Sequence, residues 1–338
     1  MKTLIRYLRA DEWMSSKVTM MLGTAAYFLC INGRDMLTAC RELAVYFLFL
    51  AMFLAISYVS NDFSDLEIDK KAGKKKVIAQ LPRWVIWLSF VLMLAIGNVP
   101  ILLYAENKAL CAVLVTLTVF LGVAYSAPGL RFKERGVLGL IECSFAQHCM
   151  PLTVLLLFLD RSRETMLLWA LWFVLSFVDG LRYILIHQYI DQENDRATET
   201  HTFVADRQVN IRKYILGLYV VENICCVLLL LPLLREHVWV VALGVAFHVA
   251  LEFCIYQVLN VYAKKDWMVS FDSVPLEAFL NMILPMMFGI CLMKTSLWAG
   301  LFSLFILLCC YRALGIKLGI AMVYVRSKIS PDDGKGRK

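Results

Sequence analysis

The sequence predicts an all-α protein, a polytopic bundle of membrane-spanning helices, and three observations lead there. Of 338 residues, 60% are hydrophobic and 18% charged, with a mean hydropathy of +0.68; a water-soluble domain of this length needs more charge on its surface. Apolar stretches of roughly 17 to 25 residues, the length a helix needs to cross the hydrocarbon core, recur along the whole chain. The polar segments between them alternate between rich and poor in Lys and Arg, as loops on opposite sides of a bilayer do.

Ten spans follow in order, at about residues 18–33, 42–60, 83–104, 109–127, 137–159, 165–190, 213–234, 238–262, 276–296 and 298–323. The segment before the first, Arg6 to Lys17 with Trp13, reads as an interfacial helix whose Arg6 and Arg9 reach lipid headgroups or a substrate phosphate. No small-residue cleavage pattern follows this span, so it is expected to remain on the mature protein. The second span runs into an acidic stretch, and the polar segment after it ends at Pro82, where the third begins. The fourth closes on Pro128-Gly129, a turn signal that puts Arg131, Lys133 and Arg135 on the side of the acidic stretch.

Span six holds Asp179, Arg182 and His187. Ionisable groups are costly at membrane depth and face a protein interior or an aqueous cavity. Asp179 and Arg182, three residues apart, compensate one another; His187 either lines a cavity or acts as a base or orienting group at a reaction centre. Spans seven to ten hold Glu222, His248, Glu252 and Asn281, expected to pair inside the bundle or line a cavity. The eleven cysteines lie mainly inside spans, with no CxxC spacing, and read as small packing residues.

The N-terminal segment, the loops after spans two, four, six and eight, and the C-terminal tail hold 24 of the 34 Lys and Arg residues, against seven in the alternate loops. Both termini and the loops of the basic set are therefore expected in the cytoplasm, the membrane being the inner membrane of a bacterium. The net charge of +7 is a topology signal and an attraction to anionic lipid; no patch interleaves aromatic and basic residues as a nucleic-acid groove would. One domain is expected over residues 1–325, with 326–338 as a flexible tail.

Two acidic stretches stand on the cytoplasmic side. If residues 61–69 continue the preceding helix, Asp62, Asp65 and Asp69 fall at i, i+3 and i+7, and Asn61, Asp65 and Asp69 at i, i+4 and i+8. Carboxylates so placed repel and call for a cation, and oxygen ligands favour Mg²⁺ or Ca²⁺. In the second half Tyr183, His187, Asp191 and Asp195 are spaced by four, and a polar segment runs from Asp191 to Lys213. Two such helix ends over one cavity would hold a diphosphate through shared metal ions, with Lys and Arg covering the remaining charge. The basic run Lys70 to Lys76 is accounted for by topology.

These residues resemble the UbiA superfamily of intramembrane prenyltransferases. The pattern N-D-x-x-D-x-x-x-D is met by Asn61, Asp62, Asp65 and Asp69. A loop written Y-S-x-P-P-x-R-x-K is met by Tyr125, Ser126, Pro128, Arg131 and Lys133, with Gly129 in place of the second proline. D-x-x-x-D is met by Asp191 and Asp195, with Arg196 and Thr202 also similar; Asn194 and Glu199 stand where many relatives have glycine. The resemblance covers about residues 15–300 and implies nine spans, one fewer than counted here, around a central cavity with a cytoplasmic cap, open sideways to lipid.

It further implies Mg²⁺ held by Asn61, Asp62, Asp65, Asp69, Asp191 and Asp195, and a prenyl diphosphate whose leaving group is stabilised by Arg131 and Lys133. Tyr125, His187 and Arg196 complete the substrate-binding set. A prenyl cation forms in a dry cavity, where the face of Tyr125 stabilises it, and an acceptor, aromatic or otherwise lipophilic, captures it. Two rivals remain: a terpene cyclase that captures the cation intramolecularly, and a transporter using acidic groups for cation coupling.

Overall fold

The computed structural model describes all residues except 1, 72, 74–75, 160–164, 208–209, 263–276, 294 and 330–338. Lys74, Lys75, Arg161, the 263–275 connection and most of the expected tail thus lie outside the described residues. Among those described there are helices and no strand. After a short helix Lys2–Tyr7 come α1 (Ala10–Asn32), α2 (Met36–Ser64), α3 (Leu66–Lys71), α4 (Arg83–Tyr104), α5 (Lys108–Ala124), α6 (Val137–Leu159), α7 (Met166–Ala197), α8 (Ile211–Leu230), α9 (Leu234–Tyr256), α10 (Phe279–Leu292) and α11 (Leu297–Ile329).

Local chemistry sets the ends. Asp35, Asn107 and Asn210 cap α2, α5 and α8, accepting from the amides of Thr38 (2.8 Å), Leu110 (3.0 Å) and Lys213 (3.3 Å). The Thr38 amide holds the Asp35 carboxyl below its usual range. Pro82 in extended conformation precedes α4, and Pro232 lies in the tight turn that separates α8 from α9.

Every apolar stretch of the sequence has a helical counterpart among the described residues. Six helical rods are long and apolar enough to cross a membrane, and the bent pair Leu297–Tyr311 and Ala313–Arg326 makes a seventh. One rod, Ile211–Leu259, is the seventh and eighth sequence spans run together, while Lys108–Ala124 and Phe279–Leu292 are shorter. Ten spans describe the chain if that rod is divided at Pro232 and the two shorter helices are included.

α2 packs against α4, α5 and α6; α7 against α6 and α8; α10 against α1 and α11; and α9 against α11. Glycine allows the closest approaches: a Cβ added to Gly23 would lie 2.9 Å from Pro285, and one at Gly97 2.8 Å from Met52. Without a hydrophobic drive between helices in lipid, such close contact supplies much of the association. Bulky side chains such as Trp87, Val91 and Val113, each about 60% exposed, point outwards on α4 and α5, where lipid accommodates them. At the end away from the acidic stretches, Arg34 clamps the bundle through Glu42 (2.8 and 3.1 Å) and the Phe158 carbonyl (2.5 Å).

Candidate active site

At the end of α2 the backbone departs from an ideal helix at Asp65, with φ −99° and ψ 8°, before α3 resumes. The Asp65 amide still donates to the Asn61 carbonyl (3.0 Å) and the Asp69 amide to that of Asp65 (2.8 Å). Helical pitch is thus kept, and the row Asn61, Asp65, Asp69 faces a cavity of about 510 Å³. Asp62 sits a quarter turn round: it is buried outside the cavity lining, accepting from Lys76 Nζ (2.8 Å) and Arg9 Nη1 (3.1 Å). The two rows that the spacing allows therefore resolve into a cavity row, Asn61, Asp65 and Asp69, and one carboxylate behind it.

The loop after α5 brings the cations. Gly129 has φ +87°, which the ring of a proline forbids, so the departure from the second proline follows from this backbone. Arg131 also takes a left-handed conformation, φ +36°, an uncommon one for a side-chain-bearing residue. Its Nη1 lies 3.5 Å from Asp65 Oδ1, while Lys133, buried, donates to Asp65 Oδ2. Ser126 Oγ donates to Asn61 Oδ1 (2.5 Å). The loop lies hard against α6: a Cβ at Gly139 would stand 2.2 Å from the Phe132 carbonyl oxygen and 3.2 Å from Lys133 Cα. Gly139→Ala is therefore expected to lower stability by about 1–3 kcal/mol and to cost activity by displacing Lys133, read by thermal unfolding in detergent beside a transfer assay.

Across the cavity α7 supplies His187, Asp191 and Asp195, all in its lining. His187 Nδ1 is 3.3 Å from Asp191 Oδ2, and Thr202 Oγ1 donates to Asp195 Oδ2 (3.0 Å). Glu199 has φ +54°, a backbone that glycine adopts at less cost, which explains glycine as the commoner residue there. Arg196 is turned away: its Nε donates to the Ala205 carbonyl (2.9 Å), tying down the loop, and it is not in the lining. Arg131 likewise lies outside the lining, between Asp65 and Glu134.

The cavity thus joins Asn61, Asp65, Asp69, Tyr125, Lys133, His187, Asp191 and Asp195 from segments far apart in sequence. Sequence reasoning missed Lys17, Lys76, Gln147 and His148, which also line it. Lys76 bridges Asp62 (2.8 Å) and Asp69 (3.9 Å), so one lysine of the basic run belongs to the site. Arg9, left between headgroup and substrate, reaches Asp62 and stacks over the Tyr58 ring at 5.0 Å. Lys17 and His148 bore a signal, ionisable side chains at the start of one span and inside another.

Below this rim a buried network closes the floor. Arg182, fully buried, gives Nε to Glu222 Oε1 (2.7 Å) and Nη2 to Asp179 Oδ1 (3.1 Å), and His148 Nδ1 lies 3.4 Å from Asp179 Oδ2. The expected pairing of Asp179 with Arg182 is present, and it extends to two further helices.

No curated protein matches the sequence. Among solved structures, a UbiA homolog from Archaeoglobus fulgidus bound to GPP and Mg²⁺ has 13% sequence identity and a TM-score of 0.52, over 95% of this chain and 99% of that one. A UbiA homolog from the same organism bound to DMAPP and Mg²⁺ gives 13% and 0.52, over 94% and 99%. At this identity the likeness is one of fold. The family model described as UbiA prenyltransferase family matches residues 19–283, which include both acidic stretches and the loop between them, and the chain accordingly belongs to that family.

Proposed function

We propose that this chain is an integral-membrane, Mg²⁺-dependent prenyltransferase that ionises a polyprenyl diphosphate and transfers the prenyl group to a lipophilic acceptor. One domain, residues 1–325, does this, with both termini and the site at the cytoplasmic face of a bacterial inner membrane. The observation behind the reading is the cavity in which carboxylates of α2–α3 face those of α7 while Arg9, Lys76 and Lys133 reach in from three other segments.

The donor set fits Mg²⁺. It consists of oxygen ligands, and Asp65 Oδ1 is buried without a hydrogen bond. Among the described residues no three acidic, His or Cys groups converge to hold an ion alone. That agrees with how Mg²⁺ is commonly bound, through one or two carboxylates plus substrate phosphates. Asn61, Asp65, Asp69, Asp191 and Asp195, which line the cavity, are the residues proposed to hold it, while Asp62, behind them, is occupied by Lys76 and Arg9; when bound, the ion would neutralise charge on the diphosphate.

The chain's own residues do the rest. Lys133, Lys76 and Arg9, with Arg131 behind Asp65, meet the negative charge that builds on the diphosphate as its C–O bond breaks. Tyr125 and Tyr183 line the cavity and offer π-faces to the allylic cation. The Tyr58 ring is already faced by Arg9 at 5.0 Å and Lys17 at 4.9 Å, which makes it a poor partner for a third cation.

The test is mass spectrometry of products formed in membranes from a labelled prenyl diphosphate and a panel of acceptors. Acceptor-dependent prenylated product is expected. A terpene hydrocarbon or alcohol formed from farnesyl or geranylgeranyl diphosphate alone would assign a cyclase instead, and diphosphate release under no combination would overturn both.

A further inference from the structure

A second cavity, of about 420 Å³, lies between α8 and α9 and is closed on a third side by Phe279 of α10. It is separate from the acidic cavity, to whose lining α8, α9 and α10 contribute nothing. Its rim faces the bilayer: Val227, Val249 and Phe253 belong to the lining and each is more than half exposed.

Two ionisable side chains stand in this space. His248 and Glu252, four residues apart on one face of α9, both line it, and among the described residues His248 Nδ1 and Glu252 Oε2 are buried without a hydrogen-bond partner. Asn223, in the lining on α8, gives an amide hydrogen to the Tyr219 carbonyl instead (2.8 Å). The His248 ring packs on Phe279, with centroids 4.6 Å apart. A buried polar atom left unpaired is costly, and a ligand that pairs it removes that cost.

Depth limits what the ligand can be. Arg235 and Glu236 stand at the start of α9; from Val238, ten residues lead to His248 and fourteen to Glu252, roughly 15 and 21 Å of axial rise. Both side chains therefore lie inside a hydrocarbon core about 30 Å thick. A phospholipid headgroup stays at the edge of that core and water is absent from it, so the fitting ligand is a lipid-dissolved molecule with an apolar body and a small neutral polar group. The two orphaned atoms select that group. A carboxyl oxygen accepts, and imidazole Nδ1 accepts or donates with its tautomer. Side chains four apart on a helix start about 5–6 Å from one another, so one oxygen between them reaches both. A hydroxyl donates and accepts at once, whereas a ketone, ester or ether only accepts.

We propose that this cavity is a binding site for a long-chain alcohol taken from the bilayer. Its hydroxyl sits between Glu252 and His248, donating to Glu252 Oε2, and its chain leaves over Val227, Val249 and Phe253 into lipid. The site does not depend on the transferase reading. α8 carries both Asn223 of this cavity and Glu222, which holds Arg182 (2.7 Å), so the alcohol rests against a helix of the buried network.

The experiment uses the full chain in phosphatidylcholine nanodiscs and two photoreactive probes, hexadecanol with a mid-chain diazirine and its methyl ether, with labelled peptides read by mass spectrometry. The alcohol is expected to label α8 and α9 at the cavity, and the ether about fivefold less or weaker still. His248→Leu combined with Glu252→Leu should bring alcohol labelling down to the ether level without lowering the melting temperature, because it removes two unpaired polar atoms. Competition by unlabelled farnesol alone points to an isoprenoid alcohol, and competition by unlabelled hexadecanol as well points to long-chain alcohols in general; both support the site. Equal labelling by alcohol and ether, undiminished labelling of the double variant, or no label on α8 and α9 overturns it.

Discussion

Asp65→Ala is expected to abolish prenyl transfer while leaving the protein folded in detergent and able to bind the diphosphate. Asp65 faces the cavity with Lys133 on one oxygen and Arg131 3.5 Å from the other. Removing the carboxylate frees both cations to hold the diphosphate directly, so affinity for GPP without metal should persist. What disappears is a ligand proposed for Mg²⁺, and with it the stabilisation of the leaving group. Loss of even one such electrostatic contact lowers turnover by about 10²–10³-fold, so activity should fall below detection and stop responding to added Mg²⁺. Asp191→Ala, from the opposite wall, should behave alike. Full activity in either variant would remove that acidic stretch from the site.

Arg182→Leu is expected to be the most destabilising single change in the bundle. Arg182 is fully buried and bonded to Glu222, also fully buried, and to Asp179. Desolvating three charges is costly, and the network is tolerable because each finds a partner. Removing the cation leaves two carboxylates facing one another at membrane depth, a loss of about 3–5 kcal/mol. Thermal unfolding in detergent measures it, and Arg182→Leu combined with Glu222→Leu should recover part of the loss. A change below about 1 kcal/mol would mean that the network contributes little to holding α7 and α8 together.

The sequence made the acidic stretches legible because carboxylates at spacings of three and four, beside a long apolar run, have few explanations. The helical period offered two rows, one with Asp62 and one with Asn61, without deciding between them; Asn61, Asp65 and Asp69 are the ones that share the cavity wall. The position of Asp62 depended on Arg9 and Lys76, which reach it from 53 and 14 residues away in sequence, and no local pattern records such a meeting. Lys76 was hidden for another reason, being one lysine in a run whose other members are explained by topology. His148 and Lys17 lay inside or beside apolar stretches, where one polar residue reads as a satisfied interior group until its partners are known.

By itself, then, the amino-acid sequence determined the class of fold, the order of the spans and the presence of two oxygen-rich helix ends. Each is a local property: apolar length against bilayer thickness, and side-chain period against helical pitch. Tertiary structure decided which of those oxygens face one cavity, which cations meet them, and that a histidine and an aspartate from α6 and α7 stand 3.4 Å apart beneath. Hydrogen bonds and ion pairs act over a few ångströms, whereas these partners lie tens of residues apart, and only the packing of helices on their glycines brings them into range.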